Sequence, residues 1–167
     1  MLKKILKITG ITLLVVIIGL VAAPFIFKDK IKEMIAKTLN ESVDAKVAFE
    51  DVDLSLLKNF PKANVTISKL SIINKAPFEG DTLFYSGETN LKMSIKELFK
   101  DASETINLES ISSENGIVNI IFNKDGVGNY DIALKDDTPA DENDSKPFAL
   151  NIQDYKVENL RFTYLDQ

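Results

Sequence analysis

From Ile8 to Phe27 the chain reads ITGITLLVVIIGLVAAPFIF, without one charge between Lys7 and Lys28. A helix of about 20 residues rising about 1.5 Å each covers the roughly 30 Å hydrocarbon core of a bilayer. A helix buried in a soluble core would carry a polar face, whereas this run has only Thr9 and Thr12, both near one end. A secretory signal has a shorter apolar region followed by a small-residue cleavage site. Here Val21-Ala22-Ala23 runs into Pro24, a poor place to cut. The expectation is an uncleaved single-pass anchor over residues 1–27, with Ile8, Leu13, Val16, Ile18, Phe25 and Phe27 among the side chains that meet lipid. Lys3, Lys4 and Lys7 precede the run, and Lys28, Lys30, Lys32 and Lys37 come after it, so counting cations fixes no orientation. Long downstream domains translocate largely regardless of charge. The expected arrangement is an N-terminus in the cytoplasm and a body on the other side.

Beyond the anchor the chain is polar enough to fold in water. Over its whole length hydrophobic residues make up 45% and charged residues 27%, which excludes both a disordered chain and a wholly embedded one. A net charge of -5 argues against a nucleic-acid partner, since phosphate binding needs a concentrated basic surface. Without cysteine there is no disulfide framework and no thiolate metal site. Without histidine the commonest general base and metal ligand are both missing. The expectation is therefore no enzyme, no metal and no cofactor.

Residues 28–43 change to a helical period. Ile31, Met34, Ile35, Leu39 and Val43 fall on one face, and Lys30, Lys32, Glu33, Lys37 and Glu41 on the other. Such a helix either caps the end of a sheet or lies along lipid headgroups. From Ala45 the period becomes two. Val47 and Phe49 alternate, a slip at Glu50-Asp51 predicts a bulge, and Val52 and Leu54 resume on the other parity. Val65, Ile67, Leu70 and Ile72 form the next strand, again with one slip. The longest alternation, Leu83, Tyr85, Gly87, Thr89, Leu91, Met93 and Ile95, predicts a strand with one apolar side. Ile95 to Phe99 reads as a short helical turn. Ile106, Leu108 and Ile111 predict a strand, Asn115-Gly116 a tight turn, and Val118, Ile120 and Phe122 the partner strand, with Asp125-Gly126 a second hairpin signal ahead of residues 127–134.

The fold class expected from these signals is mainly β behind a transmembrane helix. Its antiparallel, strongly twisted sheet of some eight or nine strands, each about six residues long, is capped by the amphipathic helix. The β-sheet domain would cover residues 44–135, an acidic linker 136–146, and a further β repeat would begin in 147–167, where Phe148, Leu150 and Ile152 and then Leu160, Phe162 and Tyr164 alternate.

The polar motifs carry little chemistry. Residues 123–131 (NKDGVGNYD) suggest a calcium loop, but Val127 takes a ligand position and Leu134 stands where the closing carboxylate belongs, so a hairpin turn fits better. Gly126 and Gly128 lack the third glycine and the βαβ setting of a dinucleotide site. Asp51 and Asp53 share a strand face, yet nothing gives one of them a different environment from the other, so they read as solvated charges at a strand edge. The recurring feature is the apolar strand face. Either these faces close into a sandwich core or they line an open groove able to take acyl chains, and periodicity alone does not choose.

Several segments resemble the N-terminal portion of AsmA-family proteins. They are Ala22-Ala23-Pro24-Phe25, Val52 to Leu56 leading to Phe60-Pro61, Asn74 to Leu83, Lys124 to Ile132, and Leu160 to Asp166. The resemblance covers nearly the whole chain and contains no catalytic residues. It implies an inner-membrane protein with a periplasmic β-body, in which an open groove or half-barrel shields acyl chains during lipid transport or outer-membrane biogenesis. The partner would be membrane phospholipid, and the groove-facing candidates are Leu83, Tyr85, Leu91, Met93, Ile95, Val118, Ile120 and Phe122. The competing expectation is a structural envelope protein or assembly factor that meets other envelope proteins, or itself, through open sheet edges.

Overall fold

The computed structural model describes residues 2–100, 104–134 and 149–167. The uncharged run and the amphipathic segment form one continuous helix, α1 (Leu2–Ser42), with Pro24 inside it. It is long and apolar enough to cross a membrane, and none of its most apolar stretch is buried in the protein. Among the described residues seven strands come after it: β1 (Ala45–Ala48), β2 (Asp51–Asn59), β3 (Lys62–Asn74), β4 (Thr82–Ser94), β5 (Ile106–Phe122), β6 (Leu150–Glu158) and β7 (Arg161–Asp166). A 3₁₀ turn (Ile95–Phe99) joins β4 to the approach of β5, as its sequence suggests. The acidic segment 136–146 and Phe148 lie outside the described residues.

The sheet is single and not closed. Its order is β1-β3-β4-β5-β6, with β2 also on β3 and β7 also on β5. β1 continues into β2, and β6 into β7, so the seven strands make five rows. At about 4.8 Å per row the sheet is only about 19 Å wide, whereas β5 alone runs for about 56 Å at about 3.3 Å per residue.

Two expectations are corrected here. The sheet is mixed: β5 pairs antiparallel with β4 but parallel with β6 and β7. The parallel register holds one offset of 44 residues on both sides of the β6–β7 break, and Asn151 and Asn159 hydrogen-bond Asn107 and Asn115 at that same spacing. In addition, Asn115-Gly116 is not a hairpin. Asn115 takes a left-handed conformation (φ 54°), but Gly116 does not, and a two-residue type I′ turn needs both. The chain therefore kinks at Asn115 without a change of register and continues as one strand of 17 residues.

Asn115 belongs to a crease that crosses the whole sheet. The break between β1 and β2, Lys69 (φ 51°) in β3, Gly87 in β4, Asn115 in β5 and Asn159 (φ 54°) between β6 and β7 all fall in line, where the pairing skips. Each strand changes the parity of its faces there, so the apolar face stays continuous only because every row slips together. Gly87 and Gly116 allow the close approach. A Cβ on Gly87 would lie 3.3 Å from Asn115 Cβ, and one on Gly116 would lie 2.8 Å from a Leu160 methyl.

The core lies between α1 and β2–β5 near one end of the sheet. It comprises Ile31, Val52, Leu56, Ala63, Val65, Ile67, Met93 and Leu108, with Leu20, Ala23 and Ile35 packed against it from the helix. Asp51 and Asp53 are not simply solvated. Lys28 Nζ donates to Asp51 Oδ2 at 2.7 Å and to Asp53 Oδ1 at 3.0 Å, and Lys32 adds Asp51 Oδ1 at 3.4 Å. These contacts hold Asp51 down to a pKa of about 2, with the Lys28 hydrogen bond the largest cause.

Beyond β5, Asn123 Oδ1 accepts the N–H groups of Asp125 and Val127, making a turn with Gly126 at φ 75°. Residues 127–134 form no strand, only bridges of Phe122 with Gly128 and of Val43 with Ala133. Asn129 fastens this loop to the β5 edge.

Candidate functional site

The two faces of the sheet differ sharply. On one face the rows read Ile72, Leu70, Ile67, Val65 and Ala63 in β3; Phe84, Ser86, Thr89, Leu91 and Met93 in β4; and Val118, Gly116, Ser113, Ile111 and Leu108 in β5. The parallel edge extends it with Phe162, Val157, Tyr155 and Ile152. The other face carries ladders such as Asn64–Asn90–Thr66 and the Glu109 carboxylate between Lys62 and Lys92. The lysines lower the Glu109 pKa, the Lys62 hydrogen bond contributing most.

Helix α1 covers only part of the apolar face. Between them lies a cavity of about 280 Å³, walled by Ile31, Met34, Ile35, Thr38 and Leu39 of the helix and by residues of β3, β4 and β5. Tyr155 and Leu150 flank it on the side of the parallel edge. Beyond the cavity the same face is uncovered, and Phe162 and Tyr164 there, like Tyr155 at the cavity's flank, are each 59% exposed. Phe122 meets Tyr164 and Tyr130 at ring centroid distances of 5.6 and 5.7 Å, extending the apolar strip to the far end of β5.

Polar atoms in the cavity are few. The Ser113 hydroxyl donates to Ser86 Oγ at 2.8 Å, and Ser86 donates to the Glu88 carbonyl, so these two buried hydroxyls are satisfied at the crease. Thr89 Oγ1 is buried without a hydrogen-bond partner among the described residues. Leaving such a group unpaired costs about 1–3 kcal/mol, and a polar atom entering the cavity would recover it. At the opposite end Glu97 and Lys100 line the cavity and pair at 2.6 Å. The Asn107 backbone N–H and Lys100 together hold the Glu97 pKa below its ordinary value.

The structure brings some of the sequence-derived candidates together and separates others. Leu91 and Met93 line the cavity, although Met93, 6% exposed, belongs to the packed core as well. Ile95 packs beside that core, outside the cavity wall. Tyr85 alternates with Phe84, which does line the cavity, and so points to the opposite face. Leu83, 7% exposed, sits unpaired at a register shift between β3 and β4, outside the cavity wall. The parity change at Gly87 is the reason that the single apolar side expected from Leu83 to Ile95 does not exist. Val118, Ile120 and Phe122 share the face of Phe84 but lie beyond the cavity, on the uncovered strip. Sequence reasoning missed Phe84, Leu70, Ile111 and the helix residues Met34 and Leu39 as cavity walls. The Glu-Asn pair that recurs at Glu114-Asn115 and Glu158-Asn159 was the signal that could have placed β5 and β6–β7 side by side. In the uncharged run of α1, Ile8, Leu13, Val16, Ile18, Phe25 and Phe27 are all exposed, Phe25 at 82%.

Scans against protein-family models, curated proteins and solved structures find no match to this chain. Among the described residues no group of three acidic, cysteine or histidine side chains is placed to hold a metal.

Proposed function

We propose that this is a membrane-anchored groove protein that shields acyl chains of phospholipid, in the manner that its resemblance to the AsmA family implies. In this reading α1 spans the inner membrane over Ile8 to Phe27 with the N-terminus in the cytoplasm. The sheet stands in the periplasm, where it serves lipid transport or envelope biogenesis without making or breaking a bond. The observation that carries the reading is one continuous apolar sheet face, half covered by a helix over a cavity and half uncovered, opposite a polar face. The 280 Å³ cavity is at the small end for a whole ligand, so it suits part of one chain with the remainder along Tyr155 and Phe162.

Each methylene withdrawn from water contributes about 0.8 kcal/mol. A bilayer offers a chain nearly the same gain, so exchange between bilayer and groove is close to neutral and reversible, as a carrier requires. The test is the full chain extracted in mild detergent and analysed by mass spectrometry for co-purifying phospholipid. Tyr155→Glu together with Phe162→Glu, both at exposed positions, should lower bound lipid severalfold with the circular dichroism unchanged. Equal lipid in both proteins, or none in either, refutes the reading.

The second reading, an assembly factor, is favoured by the β6–β7 edge, which pairs on one side only among the described residues. An open edge of this length can take another strand. It predicts a stable oligomer or protein complex that a proline at Thr163 disrupts.

A further inference from the structure

Helix α1 and the β1–β2 row run side by side in opposite directions. Asn40 exchanges hydrogen bonds with the Val47 backbone, Lys32 reaches the Glu50 carbonyl, and Lys28 reaches Asp51 and Asp53. One step further down, Leu20 and Ala23 pack against the cluster that contains Leu56. Moving onward along β2 thus means moving back along the helix into its uncharged run. From Asp53 the chain advances seven more positions to Phe60, up to about 23 Å at about 3.3 Å each, and an equal length of helix reaches well inside the run that ends at Phe27.

The end of the sheet at that level exposes large apolar side chains among its lysines. Leu57 and Phe60 at the β2–β3 turn are 49% and 58% exposed, and Phe99, which closes the 3₁₀ turn, is 72% exposed. Phe99 meets Phe27, the last residue of the uncharged run, edge to face at 6.4 Å. Exposed Lys58 and Lys96 sit beside these side chains in sequence, as do cations that keep their charge among headgroups while their stems lie in the apolar layer.

We infer that this end of the sheet, the β2–β3 turn with Leu57 and Phe60 and the 3₁₀ turn with Phe99, is seated in the leaflet from which α1 emerges. The cavity end lined by Glu97, Leu98, Lys100 and Ile106 then faces the boundary between headgroups and acyl chains, with the Glu97–Lys100 pair on the headgroup side, so that a chain enters from the leaflet without crossing bulk water. This rests on the spanning role proposed for α1, and it adds a place of entry.

The chain has no cysteine, so single thiols can be introduced one at a time. The full chain carrying Phe60→Cys, Leu57→Cys or Phe99→Cys is labelled with an environment-sensitive fluorophore and reconstituted into phosphatidylethanolamine–phosphatidylglycerol vesicles containing brominated lipid. Val16→Cys reports the span, and Lys124→Cys reports the far end of the body. Seating at about 5–10 Å depth predicts at least about twofold quenching by shallow bromines at Leu57, Phe60 and Phe99, deep quenching at Val16, and none at Lys124. Deep quenching at Val16 with Leu57, Phe60 and Phe99 open to aqueous iodide overturns the inference and leaves the span standing. Absence of quenching at Val16 overturns both. Leu57 and Phe99 keep the result readable if the Phe60 variant misfolds.

Discussion

Replacing Asn129 by alanine tests whether the loop after β5 is a fixed part of the fold. The side chain is 2% exposed. Its Oδ1 accepts the Ile121 N–H at 2.9 Å, and its Nδ2 donates to the Asn119 carbonyl at 2.9 Å and to Asn74 Oδ1 at 3.2 Å. β4 begins only at Thr82, so β5 beyond Val118 has no strand on that side, and Asn129 supplies the missing partners. Truncation strands one N–H and one carbonyl at about 1–3 kcal/mol each, giving a loss of about 2–6 kcal/mol. That is a large share of the roughly 5–15 kcal/mol that stabilises a domain. Denaturant titration of the full chain in detergent, monitored by tyrosine fluorescence, measures the loss. Hydrogen exchange should show protection falling first in residues 117–134. Lys124→Ala, at the exposed turn, should stay within about 0.5 kcal/mol of the parent. An Asn129→Ala protein equally close to the parent, with unchanged exchange, would refute the account of this loop.

Two further outcomes are expected from the geometry. Asp51, held at a pKa of about 2 by Lys28, stabilises the helix–sheet contact above its ordinary pKa and loses that contribution as pH falls through the folded value. The gap in denaturation midpoint between the parent and Asp51→Asn should therefore be widest near neutrality and close between about pH 4 and pH 2, and a gap constant across that range would contradict the ion pair. At the crease, Asn115→Val places a β-branched residue at φ 54° and should cost about 1–3 kcal/mol, while Asn115→Gly should be nearly neutral. Equal melting temperatures for the two would show that the crease is not held by backbone conformation.

Much of this protein can be read along the chain, because some signals depend only on neighbours in sequence. An uncharged run of about 20 residues makes an apolar helix wherever it is placed. The switch from a period near 3.6 to a period of 2 at Ala45 marks where helix gives way to sheet, and the slips at Glu50 and Leu70 mark where the strands change face. The pairing there keeps its register, and the bulge expected at Glu50 is a matched break in both rows. The helical turn after Ser94 is equally local, capped by the Ser94 side chain.

What only the tertiary structure decided is what those slips add up to. Asn115-Gly116 carries the local chemistry of a turn. It stays within a strand because β4 and the parallel β6–β7 row both break their pairing at the same level and hold the backbone in register on both sides. That alignment reversed the face of Tyr85, brought Phe84 into the cavity wall, and turned the expected many short strands into few long ones. The parallel pairing was equally hidden, since alternation in one strand says which side is apolar but not which strand lies next to it or in which direction it runs. Period is a property of one segment. Register, and with it the cavity, belongs to pairs of segments and is set by the rows that pack together.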